Sequence, residues 1–412
     1  GSGSRTQCAH ASPTFSHHMT QGSSRPVVDL RGGLRLVVDA TRGATGIVQD
    51  MHGTIVGGWP LSRPERRRPP VAGLVYRTID GGAKLIGSGL DALIAPFEGL
   101  LPAVDSPRRD AVVSALNGVL GDHLRASGNP LALTMHLRRH GDAHCRIAPA
   151  TGRVVVLVHG LCLNDHGWLR NGHDHGQALA TDLGYTPVYA RYNSGLHISE
   201  NGQALHEHLE TLVRSWPVPV HELVLLGHSM GGLVIRSAVA QADAGDADAA
   251  AHCAWRRVLR RMVFLGTPHQ GAPLERAGNW LQRLLELSPY AAPIARLSRL
   301  RSDGITDLRH GDLLASDWGG RQRYDPVDRR AIVPLPAGVA CHVVASTAGG
   351  HRVVGSLLGD GLVPVDSALG RHARPERTLA LPQSHQWVGH GIHHLDLMSS
   401  PAVYRRLRRW LA

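Results

Sequence analysis

The chain has 412 residues, which is enough for one large domain with an attached region or for two domains. Apolar residues make up 42% of it and aromatic residues only 4%, so the core is expected to consist mainly of Val, Leu, Ala and Ile. The formal net charge of +11 favours an anionic partner, such as nucleic acid or an anionic membrane. No run approaches the roughly 18 apolar residues of a membrane-spanning helix, which argues against an integral membrane protein.

Residues 1–24 are polar and tag-like, and we expect them to be disordered. No apolar segment typical of a signal peptide is visible, so we expect a cytoplasmic or peripheral protein, with secretion left open. The five cysteines are scattered without a CxxC pair, which argues against a disulfide framework and a thiolate zinc site.

Residues 25–130 are predicted to form a helical N-terminal extension. Apolar residues recur at steps of three and four over 84–101, which indicates one helical face. Ser106 followed by Pro107 predicts the start of another helix, and the Gly128-Asn129-Pro130 sequence predicts its end.

From Leu131 onwards, short apolar runs alternate with helical patterns. This alternation is typical of an α/β fold with a mostly parallel central sheet that is covered on both faces. A hairpin-like sequence around His140 allows an antiparallel first pair of strands. The predicted strands are 133–137, 154–159, 187–192, 222–227, 261–266, 339–346 and 378–381.

The Gly-His-Ser-Met-Gly-Gly sequence at 227–232 contains the pattern G-x-S-x-G. The pattern lies between an apolar strand and an apolar helix, which is the setting of a nucleophile elbow. Such a turn holds the serine hydroxyl above the carboxyl edge of the sheet, where open sheets bind ligands. Ser229 is therefore the predicted nucleophile.

A serine nucleophile needs a base, and the base needs an orienting acid. Asp360 follows the late strand at 339–346 and has a glycine on each side, so it is the predicted acid, with Asp366 as the alternative. The base is expected in the loop before the C-terminal helix. Four histidines lie there, and we favour His394 over His390, with His385 and His393 as the others.

Two backbone N–H groups are needed to stabilise the oxyanion of the tetrahedral intermediate. Met230 follows the serine directly, and Leu161 lies in a His-Gly loop after an early strand. These two residues are the predicted donors. Cys162, next in that loop, is interpreted as a packed residue because Ser229 has the stronger context.

Residues 131–412 resemble an α/β-hydrolase of the lipase and esterase group. The matching motifs are Val-His-Gly-Leu at 158–161, the serine motif at 227–232, Leu-Gly-Thr-Pro-His at 265–269, and Asp-Gly-Leu-Val at 360–363 with His-Leu-Asp at 394–396. The last two resemble bacterial lipases and GPI inositol-deacylase-like esterases. The resemblance implies a Ser229, Asp360 and His394 triad, with oxyanion donors at Leu161 and Met230.

The resemblance also has a departure. In such lipases the aspartate of His-Leu-Asp helps to bind a structural calcium together with a glutamine four residues later. Asp396 is present here, but the other position holds Ser400. No metal or cofactor is therefore predicted.

Residues 271–335 separate two strands by far more than an ordinary loop and carry helical stripes. We interpret them as a helical cap over the serine, either a mobile lid or a rigid cover. The predicted substrate is an apolar carboxylic ester, such as an acyl ester, a triglyceride or an aliphatic polyester, and the basic surface would favour contact with a lipid or polymer interface. The predicted substrate contacts are His159, Gly160, His228, Thr267, Pro268 and Leu281.

Other functions compete with an ester hydrolase. A thioesterase, an amidase or an acyltransferase would use the same elbow. A non-enzymatic protein that binds membranes or nucleic acid is favoured by the charge and by the basic Arg-Pro-Glu-Arg-Arg-Arg-Pro-Pro segment at 63–70. Basic and aromatic residues do not interleave, however, and no known binding module is found, so we expect no nucleic-acid partner. The His173-Asp174-His175 sequence has metal-ligand residue types without a further partner at ligand spacing, and is interpreted as a polar loop.

Overall fold

The computed structural model describes residues 107–140, 148–244, 253–271, 302–319, 330–349 and 359–412. The predictions for residues 1–106, for Leu281 and for most of the cap lie outside this part of the chain. Among the described residues, Pro107–His123 and Leu133–Ala412 belong to one compact unit, and Leu124–Ala132 belong to a second.

A seven-stranded sheet forms the centre of the first unit, in the order β1-β3-β2-β4-β5-β6-β7. Only the β1–β3 pair is antiparallel; the other neighbouring strands run parallel. The predicted mostly parallel sheet is therefore confirmed. The strands are β1 His136–Arg138, β2 Arg153–Val158, β3 Thr186–Arg191, β4 Glu222–His228, β5 Leu259–Leu265, β6 Ala340–Thr347 and β7 Gln386–His390.

The central strands are continuous aliphatic runs because helices cover both faces of the sheet. Alternate residues of β2 and β4 join two separate core clusters, with Val156 and Leu225 on one face and Leu157 and Leu226 on the other. Each fully buried aliphatic side chain contributes about 1.5–3 kcal/mol relative to an exposed one. The result is a three-layer α/β/α arrangement that holds the carboxyl ends of the parallel strands in fixed positions.

The helices alternate with the strands along most of the described chain. Helices α3 and α4 cover the first face, and α2 and α9 cover the second. The helices are α1 Pro107–Ala126, α2 His175–Leu183, α3 Ile198–Ser215, α4 Met230–Asp243, α5 Ala254–Val258, α6 Asp303–His310, α7 Ala315–Trp318, α8 Val365–Ala368 and α9 Pro401–Leu411. Among the helices described, none has the length and apolar character required to cross a membrane.

Two strand predictions were wrong in detail. Residues 378–381 are not a strand, and the last strand is instead β7 at Gln386–His390. The first strand is antiparallel as the sequence allowed, but it pairs with β3 rather than with the next strand in the chain.

Helix α1 begins at Pro107, as the Ser-Pro sequence predicted. Its buried face differs from the apolar pattern of the sequence, because Val112 is exposed while Asp110, Ser114 and Asn117 are buried. Two of these polar residues are hydrogen-bonded: Asn117 donates to the Val113 carbonyl and accepts from the Leu133 N–H. Asp110 accepts hydrogen bonds from the Arg191 guanidinium at 2.7 and 2.8 Å.

Candidate active site

Ser229 lies in a sharp turn between β4 and α4. Its backbone adopts φ 53° and ψ −125°, a conformation that non-glycine residues rarely adopt and that costs about 1–3 kcal/mol. The Ser229 N–H donates to the Leu265 carbonyl at the end of β5, at 2.9 Å. This strained turn after a buried strand and before a helix is the geometry predicted for a nucleophile elbow.

The elbow is packed so tightly that larger residues do not fit around it. A Cβ on Gly231 would lie 2.6 Å from the His159 carbonyl oxygen, and a Cβ on Gly227 would lie 2.6 Å from Gly232 Cα. A Cβ on Gly160 would lie 3.0 Å from Ser229 Cβ. The loop at 159–162, which carries the predicted oxyanion donor Leu161, therefore passes directly against the serine.

Asp360 and His394 form a buried pair, each with about 2% of its surface exposed. The His394 Nδ1–H donates to Asp360 Oδ2 at 2.7 Å. The other carboxylate oxygen, Oδ1, accepts from the Leu362 and Val363 N–H groups at 3.0 and 2.8 Å. Gly361 at φ 97° permits this turn, in which the backbone folds around the carboxylate.

This hydrogen-bond pattern determines which nitrogen of His394 can act as a base. Because Nδ1 donates to Asp360, the acceptor nitrogen of the neutral ring is Nε2. His394 Nε2 is buried and has no hydrogen-bond partner within the part of the chain that the structure describes.

The serine and the Asp360–His394 pair flank the same short turn after β5. Leu265 accepts the Ser229 N–H, and the next residue, Gly266, has φ 57°. A Cβ on Gly266 would lie 3.1 Å from Asp360 Oδ2 and 3.2 Å from His394 Cε1. The structure thus pairs Asp360 with His394 and places both beside the turn after β5, to which the Ser229 backbone is hydrogen-bonded.

His228 supports the position of His394. Its Nε2–H donates to the His394 carbonyl at 3.0 Å, and the two ring centroids lie 4.7 Å apart. Burial, together with the neighbouring His394, holds the pKa of His228 well below its usual value. His228 therefore stays neutral and keeps this hydrogen bond across the ordinary pH range.

His159 is the first residue of the loop that faces the serine. Its ring is fully buried, stacks on Tyr192 at 4.3 Å and hydrogen-bonds through Nδ1 to the Gly160 carbonyl at 2.8 Å. Burial lowers the pKa of His159 to about 4. The side chain is thus part of the support of this loop.

The alternative residues lie in other environments. Asp366 is exposed and pairs with Arg371 at 3.4 Å. His385 precedes β7 and hydrogen-bonds to the Cys341 carbonyl at 3.0 Å, and the His390 ring lies 3.1 Å from Thr347 Oγ1. Of the four histidines considered, His394 is the one that pairs with Asp360.

Cys162 is buried beside Leu161 and has φ 61°. Burial raises the pKa of its thiol to about 12, so the sulfur stays protonated. A protonated thiol is a poor nucleophile. The Cys162 N–H donates to Ser194 Oγ at 3.1 Å, which ties this loop to the loop after β3.

Two further predicted substrate contacts, Thr267 and Pro268, are buried directly after β5. Thr267 packs against the start of α4, where a Cβ on Gly232 would lie 2.8 Å from Thr267 Cγ2. A cavity of about 370 Å³ lies between α4, residues 330–341 and residues 376–382. Its described walls include Arg236 and His269, not the three residues of the triad.

The His173-Asp174-His175 sequence and Asp396 form hydrogen bonds or ion pairs with other protein atoms. His173 Nε2 lies 2.8 Å from His175 Nδ1, and His175 Nε2 donates to the Leu397 carbonyl. Asp174 caps α2 by accepting from Gln177 N. Asp396, at the position of the calcium aspartate in lipases, pairs with Arg170 at 3.2 Å.

Part of the predicted cap is described, and it lies close to the elbow. Helix α6 packs so that a Cβ on Gly304 would lie 3.0 Å from Met230 Cε. The Gly304 N–H donates to the Gly195 carbonyl, and Ser302 Oγ donates to the Gly118 carbonyl in α1. The described segment at the start of α6 is therefore anchored to the loop after β3 and to α1.

Comparison with known proteins agrees with this architecture. Residues 149–323, less than half of the chain, match the family model of the PGAP1-like alpha/beta domain. No curated protein matches the chain significantly.

Solved structures with a similar arrangement include the mature lipase BlEst2 of Bacillus licheniformis, 18% identical, with a TM-score of 0.41 over 68% of this chain and 98% of that one. A thermophilic esterase from Thermogutta terrifontis is 16% identical, with a TM-score of 0.35 over 67% and 92%. The Bottromycin epimerase BotH is 15% identical, with a TM-score of 0.37 over 68% and 96%. These likenesses concern the fold alone.

The strand order, the strained serine turn and the Asp360–His394 pair, together with the family match, define the class of this protein. It has the α/β-hydrolase fold, and residues 149–323 are similar to the PGAP1-like alpha/beta domain.

Proposed function

We propose that the protein is a serine carboxylesterase or lipase that hydrolyses apolar carboxylic esters. The observation that carries the proposal is the buried Asp360–His394 pair, with its 2.7 Å hydrogen bond, beside the strained turn that holds Ser229. A serine hydroxyl becomes a useful nucleophile only with such a base and orienting acid.

In the acylation half of the reaction, Ser229 Oγ attacks the ester carbonyl while His394 Nε2 takes the hydroxyl proton. Asp360 stabilises the imidazolium and keeps Nδ1 protonated. The Leu161 and Met230 N–H groups stabilise the oxyanion of the tetrahedral intermediate. His394 then gives its proton to the alcohol oxygen, and the C–O bond breaks to leave an acyl-serine.

In the deacylation half, water replaces the alcohol. His394 Nε2 removes a proton from the water as it attacks the acyl carbon, and the oxyanion occupies the same site. Collapse of this second intermediate returns the proton to Ser229 Oγ and releases the carboxylic acid. No group besides the triad and the two backbone donors is required for this cycle.

The expected substrates are acyl esters, including triglycerides and aliphatic polyesters. Support comes from the loop that faces Ser229, where Leu161 is buried, and from the α6 part of the cap above Met230. Apolar surroundings favour an apolar acyl group. The charge of +11 would favour contact with an anionic or ester-rich interface.

A panel of matched substrates tests the reaction class. An ester, a thioester and an amide with the same acyl group are compared by their kcat/KM, and the ester is expected to be the best substrate. A higher kcat/KM for the thioester or the amide, or acyl transfer to an added alcohol in preference to water, would establish one of the alternatives instead.

Ser229→Ala tests the mechanism. We expect kcat/KM for a short p-nitrophenyl ester to fall on the order of 10⁴-fold or more, because no covalent intermediate can form. The matched control is Ser384→Ala, which removes an exposed hydroxyl and should leave the rate unchanged. Retained turnover in a folded Ser229→Ala protein would disprove the mechanism.

A further inference from the structure

A second cluster of titratable side chains lies at the β1 edge of the sheet. His140 follows β1, and Asp165 and His166 begin the short 3₁₀ helix Asp165–Trp168 after the oxyanion loop. One ligand atom from each of the three residues lies within 4.8 Å of the other two. His140 Nε2 is 3.2 Å from Asp165 Oδ2, and the two imidazole centroids are 5.0 Å apart.

Asp165 is the unusual member of this cluster. Its carboxylate is completely buried, yet both oxygens lack a hydrogen-bond partner among the described residues. His140 Nε2, also buried, lacks one too. An ionised carboxylate that is removed from water without hydrogen bonds is costly unless a cation or a metal compensates it.

Of the cationic side chains around this carboxylate, His140 comes nearest, at 3.2 Å, and the two arginines lie farther away. Arg191 Nε and Arg138 Nη1 each lie 3.9 Å from an Asp165 oxygen, beyond hydrogen-bond distance. Arg191 is already neutralised by Asp110, which it contacts at 2.7 and 2.8 Å. Arg138 is partly exposed, so solvent screens its charge.

We propose that His140, Asp165 and His166 bind a divalent zinc ion, with water as the fourth ligand. Zinc takes imidazole and carboxylate ligands at about 2.0–2.2 Å, so the ligand atoms of a tetrahedral site lie about 3.4 Å apart. The 3.2 Å between His140 Nε2 and Asp165 Oδ2 is close to one such edge. The other separations, within 4.8 Å, need only small side-chain rotations to contract onto an ion.

Asp110 adds a connection to this site from helix α1. Its Oδ2 atom lies 3.5 Å from His166 Nε2, while the same carboxylate holds Arg191. A bound zinc would therefore join the end of β1 to the 3₁₀ helix and, through Asp110, to α1. The sequence does not reveal the site, because His140 lies 25 residues before Asp165 and only the fold brings them together.

Isothermal titration of the full chain with zinc chloride, after treatment with a chelator, tests the proposal. We expect one zinc per chain in this site and a higher melting temperature with zinc. His140→Gln and His166→Gln should each weaken binding at least about tenfold and reduce the zinc-dependent increase in melting temperature. Circular dichroism of the metal-free variants establishes that they fold.

His173→Gln is the matched control, since it removes one histidine from a neighbouring histidine pair outside the proposed site. It should leave zinc affinity unchanged, as should Ser229→Ala, so the result does not depend on the proposed esterase. Failure to bind zinc would overturn the proposal. So would unchanged affinity in either His140→Gln or His166→Gln, or an equal loss in His173→Gln.

Discussion

Asp360 accepts three hydrogen bonds, two from backbone N–H groups and one from His394. The backbone bonds fix the carboxylate, and the carboxylate in turn fixes the orientation of the imidazole. His228 fixes the His394 backbone by a hydrogen bond to its carbonyl. The proposed base is thus held by both its ring and its main chain, which would reduce the reorganisation required in the proposed reaction of Ser229.

His394→Ala tests the assignment of the base. It should lower kcat for ester hydrolysis on the order of 10³-fold or more, since the proton of Ser229 would lose its acceptor. His390→Ala should retain nearly full activity because its ring contacts Thr347 at the end of β6. Stopped-assay rates with one p-nitrophenyl ester compare the two, and the reverse order would exclude His394.

Gly266→Ala probes the turn that separates the serine from the Asp360–His394 pair. The new Cβ would lie 2.7 Å from Leu397 Cδ1 and 3.1 Å from Asp360 Oδ2. We expect kcat to fall at least about tenfold, because a displacement near 1 Å is costly in an active site.

Gly338→Ala is the matched control for this substitution. Gly338 has φ 74°, so alanine there costs a similar backbone strain energy of about 1–2 kcal/mol, but its Cβ would enter open space. We expect the two variants to have comparable melting temperatures, and only Gly266→Ala to lose kcat. Equal kcat in the two variants would contradict this expectation.

At the scale of single residues, most residues of the candidate site could be predicted from the sequence. Ser229 could be located because the elbow needs a strand, a turn and a helix in immediate succession. Asp360 and His394 were harder, since their pairing depends on loops that meet only in the folded chain. The support from His228 was not predicted as such, because a hydrogen bond to a distant carbonyl leaves no mark in the sequence.

Among the elements, helix α1 has a direct connection to the proposed oxyanion loop. Gly118 lies against Cys162, where a Cβ would be 2.9 Å from both Cys162 N and Cα. Cys162 Sγ also approaches the Ala115 carbonyl at 3.8 Å. This part of α1 therefore supports the backbone that carries Leu161.

Gly118→Ala tests that support. Replacing glycine by alanine within a helix normally stabilises it by about 0.5–1 kcal/mol. Here we expect lower stability and a lower kcat with little change in KM, because the shifted loop would lose transition-state stabilisation rather than substrate binding. Val112→Ala, at an exposed position of the same helix, should leave kcat unchanged. Full activity in Gly118→Ala would show that α1 does not position the loop.

The strand predictions show what a single sequence reveals about elements. The central strands β2 and β4 are buried on both faces, and their unbroken Val and Leu runs predicted them well. Strand β7 lies at the sheet edge and is mostly half-buried, so its Gln, Gly and His residues obscured it. The more apolar segment at 378–381 was predicted in its place, but Leu379 packs against Gly370 instead.

For the whole molecule, buried histidines determine much of the expected response to acid. Burial lowers the pKa of five histidines below the usual value: His159, His175, His228, His269 and His342. The pKa is lowered to about 4 for His159 and His342 and to about 3 for His175. Between these values and about 6.5, the unfolded chain binds more protons than the folded chain, so stability falls as the pH falls. The pKa of His197, which pairs with Asp307, is raised and acts in the opposite direction.

Thermal melts at constant ionic strength between pH 8 and pH 4 test this expectation. Stability should be nearly flat above about pH 7 and then fall steadily, by up to about 3 kcal/mol for a single histidine whose pKa changes from 6.5 to about 4. A melting temperature that stays constant from pH 7 to pH 4.5 would contradict this account of the buried histidines.

At this scale the composition indicates a class of partner but not a reaction. The net charge of +11 favours anionic partners such as nucleic acid or a membrane, and it does not reveal the serine, histidine and aspartate of the candidate site. Net charge describes association and solubility rather than chemistry.

The central claim is that Ser229 is an activated nucleophile, and labelling with a fluorophosphonate tests it most directly. Mass spectrometry of the digested adduct should find one modified residue, Ser229. Ser229→Ala should not be labelled, and His394→Ala should be labelled far more slowly while Ser384→Ala reacts normally. An unlabelled folded protein, or an adduct on another residue that survives in Ser229→Ala, would contradict the claim.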